Sequence, residues 1–524
     1  MAFSRQRLSA LFLATALLAA PAAFAQEAKT FRAVISLPIQ TLDPQKSIAG
    51  LAGDALRTVF QTLTFVQSDG SVAPMLAQSW EIDPNSEGLQ WIVKLKPNVV
   101  FHDGEPFNAA AVAANWKRLL DPKVPIQARS NINMITEVEA IDDLTVRFTT
   151  NRPFSGFPMA IGHAVSSIVS PKSIAAGLLD DPNASPAGTG PYRIARFTLP
   201  DELEVEKFDK YWGKTGNAEK LVFISRPDEQ ARMAAFLAGE ADANFYVGAE
   251  SRGRVEGSQD LRTEAIASIR EFIVHLPMKV DALQDVRVRR ALNHAIDRDQ
   301  IVKSVFGGVA EPALSAIQPG VAGYEKLPIY TYDVDKAAAL LKEAGWTKNA
   351  NGVLEKDGKP FPTLVFMSGR GRVPNDARLA QVTAAYLNQI GIPTTLQIDE
   401  FATFYPAAMA PEGRGTRFVH MSWGFGQMDG AAFLCTVYGE GRPQNFGGYE
   451  NPKVGEACGK IDNTFDAAER ARLIAEATKM VYEDAPAIFL VVPSLLAGFN
   501  STVKNLKLDA GENHLLWEVE LGAN

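Results

Sequence analysis

The sequence predicts an α/β protein of several domains, and three observations carry that prediction. Short strand-like runs alternate with helical-period segments along most of the chain. Of its 524 residues, 46% are hydrophobic and 21% charged, the balance of folded globular domains. No unit of roughly 20 to 50 residues repeats, which excludes solenoids and propellers. At about 150 residues per domain, the length suggests about three domains.

Taken in order, Phe31–Leu37 reads as a strand, and Ala52–Leu63 as a helix with Leu56, Val59, Phe60 and Leu63 at helical spacing. Leu89–Leu95 and Leu144–Thr149 alternate as strands do. Ala109–Leu120 sets Val112, Trp116, Leu119 and Leu120 on one side of a helix. Over Val286–Val305 a single helix is expected, burying Val288, Ala291, Leu292, Ala295 and Ile296 and turning Arg287, Arg289 and Arg290 outward. Asp333 can cap the next helix, and Gly345 stands where a left-handed residue would end it. Asp376–Ile390 and Asp466–Tyr482 are further amphipathic helices. Strands are expected at Glu271–Leu276, Leu364–Met367, Thr394–Ile398, Phe418–Trp423 and Ile488–Val492.

The first 25 residues read as a cleavable export leader. Arg5 and Arg7 form a basic head, Leu8–Ala20 an apolar run, and Ala23-Phe24-Ala25 supplies small residues before the cut. The run is too short for a membrane anchor of about 20 residues and is broken by Pro21. Cleavage leaves 50 basic against 60 acidic residues, moving the formal charge from −8 to −10. A net-acidic exported chain without a Lys/Arg run is not a nucleic-acid binder.

Motifs of catalysis are missing: there is no Gly-x-Ser-x-Gly, His-Glu-x-x-His, P-loop or Cys-x-x-Cys. The six histidines are scattered and read as packed or surface residues, so no metal or cofactor is expected. Gly188-Thr189-Gly190 leads into Pro191 and an extended segment, a tight turn into a strand and not a phosphate cradle. Cys435 and Cys458 could bridge, closing a loop of about 23 residues, or stay as two buried thiols.

A series of segments in fixed order supplies the rest. Thr41-Leu42-Asp43-Pro44, Pro74-Met75-Leu76-Ala77-Gln78-Ser79-Trp80-Glu81, Phe101-His102-Asp103-Gly104 with Pro106-Phe107, Gly188-Thr189-Gly190-Pro191-Tyr192, Tyr211-Trp212-Gly213, and Asp285 to Leu292 with Ala295-Ile296-Asp297-Arg298 follow one another. The chain thereby resembles the family 5 solute-binding proteins of ABC importers, the group of periplasmic dipeptide, oligopeptide, glutathione and nickel binders. The resemblance implies a two-lobed clamshell. One lobe would combine residues 27–70, 189–282 and 497–524, a second domain, 71–188, would be inserted in it, and the other lobe would span 283–496. It also implies a periplasmic monomer that holds its solute between the lobes and hands it to permease subunits in the inner membrane.

Candidate ligand contacts come from two stretches. In Ser368 to Asp376 the family's Gly-Arg-Tyr-x-x-Asp aligns onto Gly371, Arg372 and Asp376, with Val373 replacing the aromatic. A guanidinium fork matches a carboxylate, so Arg372, or else Arg370, is the candidate for an anionic group on the solute. In Trp423 to Leu434 the dipeptide-binder pattern aligns through Trp423, Asp429 and Phe433, while Gly426 replaces the aspartate that pairs with a peptide's amino terminus. Trp423 and Phe425 could stack on a solute or pack in the core, and Asp429 could contact the solute or hold the loop. A peptide-like solute leads, a metal chelate is the alternative, and an exported hydrolase on the same fold lacks a nucleophile and base.

Overall fold

The computed structural model describes residues 28–46, 50–67, 70–126, 128–328, 330–350, 352–424, 428–511 and 514–522. The leader reading and the readings of Phe425 and Gly426 lie outside these residues.

The architecture is organised around one long strand, Ala487–Asn500. Its first half pairs with Glu271–His275 and Ala310–Pro312, its second half with Leu261–Ala267 and Ala243–Asn244. Two half-sheets thus join into one 12-stranded sheet. Ala487 to Val492 and Leu495 to Phe499 are buried, because both faces of the strand are covered; only Pro493 and Ser494, between them, are half-buried. At the same level Ser268 donates its N–H to the Pro493 carbonyl, 3.1 Å away. The chain therefore crosses between the two half-sheets at Ser268–Arg270 and again at Pro493–Ser494.

On one side of this crossing, Thr30–Ile35 runs parallel to Lys220–Ser225 and Ala243–Asn244, and Glu202–Lys207 and Tyr192–Thr198 continue the sheet. On the other, Leu364–Arg370 lies parallel to both Thr394–Glu400 and Phe418–Trp423. Glu271–His275 pairs with Phe418–Trp423. The 189–282 segment of the expected first lobe thus ends in a strand that belongs to the opposite half-sheet. Helices Val286–His294, Arg298–Phe306, Val334–Glu343 and Asp376–Gln389 cover one face of that half-sheet. Phe401–Met409, Gly430–Val437 and Ala467–Asp484 contribute to the core on its other face.

Within residues 71–188 stands a separate antiparallel sheet, in the order Ala77–Ile82, Gln90–Leu95, Thr145–Thr150, Ile135–Asp142. Trp91, Val93 and Leu95 alternate inward under helix Ala109–Leu120, whose Asn108 cap accepts the Ala111 N–H at 2.9 Å. These residues close a core of their own.

The helix expected over Val286–Val305 is two. Asp297 accepts the Gln300 N–H at 2.9 Å and starts the second. Arg289, expected to face outward, is buried. Its Nε donates to the Asp484 carbonyl (2.8 Å) and its Nη1 to those of Leu283 (2.9 Å) and Gln284 (2.8 Å). Three carbonyl dipoles, from one turn and one helix end, thus solvate a charge that amphipathic periodicity assigned to water. Asp333 caps its helix through the Lys336 N–H (2.8 Å), and Gly345 has φ +89° just past that helix's end, both as expected. Cys435 and Cys458 form a disulfide.

Candidate functional site

Neighbouring parallel strands end on the same side, and loops at such carboxyl ends are where α/β sheets place ligands. Leu364–Arg370 and Phe418–Trp423 end this way, bringing the two stretches singled out in the sequence together across some 50 residues of chain. Gly371, at φ +85°, turns the first loop. The half-buried Asp376 carboxylate then holds it, accepting N–H bonds from Arg372 (3.3 Å) and Ala377 (2.7 Å). Burial pushes this carboxyl above its ordinary pKa, against the downward pull of those N–H groups.

That loop aims Arg372 at the end of the neighbouring strand. Its Nη1 donates to the Ser422 carbonyl at 3.4 Å and approaches Met421 Sδ at 3.6 Å, while the guanidinium carbon sits 4.8 Å from the centre of the Phe401 ring. Arg372 is half-buried and lines a small cavity with Ser368, Phe401 and Ser422. Arg370 is elsewhere: it is exposed at the end of its strand, paired at 2.7 Å in cross-strand register with Glu400 of the sheet's edge strand.

Trp423 and Phe433 are packed in the core of the second half-sheet. Trp423 is 5% exposed, and its Nε1–H donates to His275 Nε2 at 3.0 Å, with Phe446 against its ring at 5.5 Å. Burial lowers the His275 pKa to about 3, so the imidazole is neutral and Nε2 is free to accept. Phe433 of helix Gly430–Val437 packs edge-on to Tyr438, the residue just past that helix's end. Asp429 caps that helix through the Ala431 N–H (3.1 Å), and both of its oxygens meet Arg470 at 2.9 Å. The structure therefore joins Arg372 to the strand end at Trp423 and sets Asp429 and Phe433 below it.

Sequence reasoning passed over Phe401, which supports Arg372, and Arg470. The signal for Arg470 was present: it stands on the same helical stripe as Ile474, Ala477 and Val481, a cation on an apolar face. It also passed over a cavity at the crossing, where Tyr246 and Val247 from one half-sheet face Val373 and Pro374 from the other, with Arg270 and Ser494 between them.

The family motifs, in contrast, build the scaffold. His102 accepts the Gly188 N–H through Nδ1 (3.2 Å) and donates from Nε2 to the Gly190 carbonyl (2.9 Å). A Cβ on Gly188 would stand 2.0 Å from the Val59 carbonyl oxygen, so only glycine allows this approach. Asp43 is fully buried in an ion pair with Arg118 of the inserted sheet's helix. Ser368 Oγ lies 2.9 Å from His420 Nδ1, but both residues are buried and the ring stacks on Phe272. Among the described residues no three His, Cys, Asp or Glu side chains group as metal ligands, and no helix is long and apolar enough to cross a membrane.

Two half-sheets linked by two crossing strands, an inserted domain and a crevice at the strand ends define a two-lobed solute-binding protein. The chain belongs to the bacterial extracellular solute-binding proteins of family 5, which serve ABC importers; the family's middle region matches residues 71–445. It is 31% identical over 517 residues to the glutathione-binding protein GsiB of Escherichia coli O1:K1 / APEC, covering 96% of each chain. With that of Pectobacterium atrosepticum it shares 30% over 508 residues, 95% of this chain and 94% of the other. Among solved structures it is similar to NikA from Brucella suis in complex with Fe(III)-EDTA, with TM-score 0.83, 24% identity and coverage of 94% and 99% of the two chains. The periplasmic binding protein DppA from Helicobacter pylori, in complex with the peptide STSA, gives TM-score 0.78 at 23% identity, covering 94% and 98%. The clamshell fold that the motifs implied is thus the fold of the protein.

Proposed function

We propose that this protein captures a small peptide-like solute carrying a carboxylate, with glutathione the first to test, and delivers it to the permease of an ABC importer. The match to glutathione-binding proteins over 96% of both chains carries the reading. At the site, Arg372 supports it as a half-buried guanidinium held at the crevice by a carbonyl and an aromatic face. We place the protein in the periplasm, as a monomer exported by the leader at residues 1–25. Its lobes move about Ser268–Arg270 and Pro493–Ser494, so the inserted domain and first half-sheet swing as one body against the second.

Titration calorimetry of the mature protein with reduced glutathione, oxidised glutathione and a panel of di- and tripeptides tests the reading. Saturable binding of one of them, with thermal stabilisation that grows with solute concentration, is the expected result. No binding by any of them overturns it, and a metal found in the protein as purified would move the reading to a chelate.

A further inference from the structure

We infer that Arg470 is a positioning residue that ties Asp429, at the start of helix Gly430–Val437, to the inserted domain when the lobes are closed. The inference rests on the solute-binding reading above and adds to it the contact that retains the solute. The backbone never passes directly from residues 71–188 to the second half-sheet; the inserted domain leaves and re-enters the chain through the first. Any contact between the two is therefore held by side chains and local hydrogen bonds, and it changes when the lobes separate.

One such contact is centred on Arg470. Its two terminal nitrogens hold the carboxylate of Asp429, the cap of helix Gly430–Val437, and its Nε donates to Ser155 Oγ of the inserted domain at 3.0 Å. Ser155 completes the link from its own side, its N–H donating to the Asp462 carbonyl (2.9 Å) and its hydroxyl to the Ile461 carbonyl (3.0 Å). Beside it Arg152 pairs with the Asp462 carboxylate at 2.7 Å. Phe465 reaches across as well, 6.0 Å from the Trp91 ring centre and yet 40% exposed. This is a small seam of mixed character, in which these polar links sit beside Phe465 and beside Met159 of the inserted domain, which packs against the second half-sheet's core, and contacts of this size between domains open and close. All five donors of a guanidinium lie in one plane, so the same group can fix Asp429 and read the position of Ser155 at once.

The test uses the mature protein and the double variant Arg152→Ala/Ser155→Ala, which leaves the buried Asp429–Arg470 pair intact. Hydrogen exchange at the Ser155 amide reports the seam, exchange in Gly430–Val437 reports the fold around Asp429, and stopped-flow release of glutathione reports retention. The expected result is exchange at the backbone amide of position 155 and release of glutathione each at least tenfold faster than in the wild type, with the association rate and the protection of Gly430–Val437 unchanged. Faster exchange at position 155 with an unchanged release rate overturns the inference. Should calorimetry show that glutathione does not bind, the choice of solute fails separately, and the ligand-free protein decides. A Ser155 amide as protected as those of Ala487–Asn500 in the wild type then means a permanent seam and overturns the inference; sub-global exchange, with a larger radius of gyration in the double variant, supports it.

Discussion

The Asp429 carboxylate and the Arg470 guanidinium meet in a buried two-bonded pair, each oxygen 2.9 Å from its own nitrogen. Removing one partner strands the other's charge in a core of Phe433, Ile474 and Ala477. Asp429→Ala should therefore cost about 3–5 kcal/mol, with about 1 kcal/mol of it from the lost helix cap. Replacing both partners, as Asp429→Leu/Arg470→Met, should recover most of that loss, because no charge is left unpaired. Urea unfolding of the three proteins checks this; equal losses in the single and double variants would contradict it.

Arg372 and Arg370 stand two residues apart and differ in everything that matters for an anion. Arg372 is half-buried at the crevice, whereas Arg370 is exposed and its pair with Glu400 is a solvent-screened one. Arg372→Ala should weaken a carboxylate-bearing solute by about 2 kcal/mol, roughly 30-fold, through loss of a charge-assisted contact. Arg370→Ala should leave affinity unchanged. Calorimetry with whichever solute the wild type binds decides, and an unaffected Arg372 variant would remove this residue from the site.

How far the sequence could be read depended on whether the signal was local. Strand Phe418–Trp423 and helix Ala109–Leu120 have the residue limits expected, because a short β-prone run and a helical period are both written in neighbouring residues. The Gly371–Arg372–Asp376 loop was legible through the resemblance, because the family's Gly-Arg-Tyr-x-x-Asp pattern fits within six residues. The long strand was read only over Ile488–Val492: buried on both faces it has no alternation, and Pro493 looks like an end. Whether Trp423 is core or ligand contact could not be read either, because its partner, His275, is 148 residues away. Arg289 and Arg470 defeat periodicity for a related reason: what makes them fit inside is a set of carbonyls or a carboxylate supplied by other elements.

The Cys435–Cys458 bridge joins helix Gly430–Val437 to helix Pro452–Asp462 across a separation of 23 residues. Closing such a loop in the unfolded chain is worth about 3 kcal/mol in the chain-entropy account. The Cys435→Ser/Cys458→Ser protein should lose about that much in urea unfolding, and reductant should bring the wild type to the same value. Stability that does not respond to reductant would mean that the bridge contributes nothing in solution.

Buried titratable groups set opposite limbs of a pH profile. Burial lowers His102 and His163 to about 4 and His275 and His420 to about 3. An unfolded chain takes up protons on these rings near 6.5 while the folded protein does not, so stability falls as pH drops from 6.5 towards 4. Each ring contributes about 1.4 kcal/mol per pH unit within that window. Glu271 acts the other way. Its carboxyl, fully buried and accepting from Gln318 at 2.8 Å, is pushed up by burial to about 8. Between 4.5 and 8 the folded state keeps a proton that the unfolded state has lost, so this group's stabilisation is complete below 4.5 and disappears as pH rises through 8. Glu271→Gln keeps the shape without the titration. Its unfolding free energy should track the wild type below pH 4.5, apart from a constant offset, and should not share the decline between pH 5 and 8. Parallel curves for the two proteins over that range would show that Glu271 is ionised throughout it.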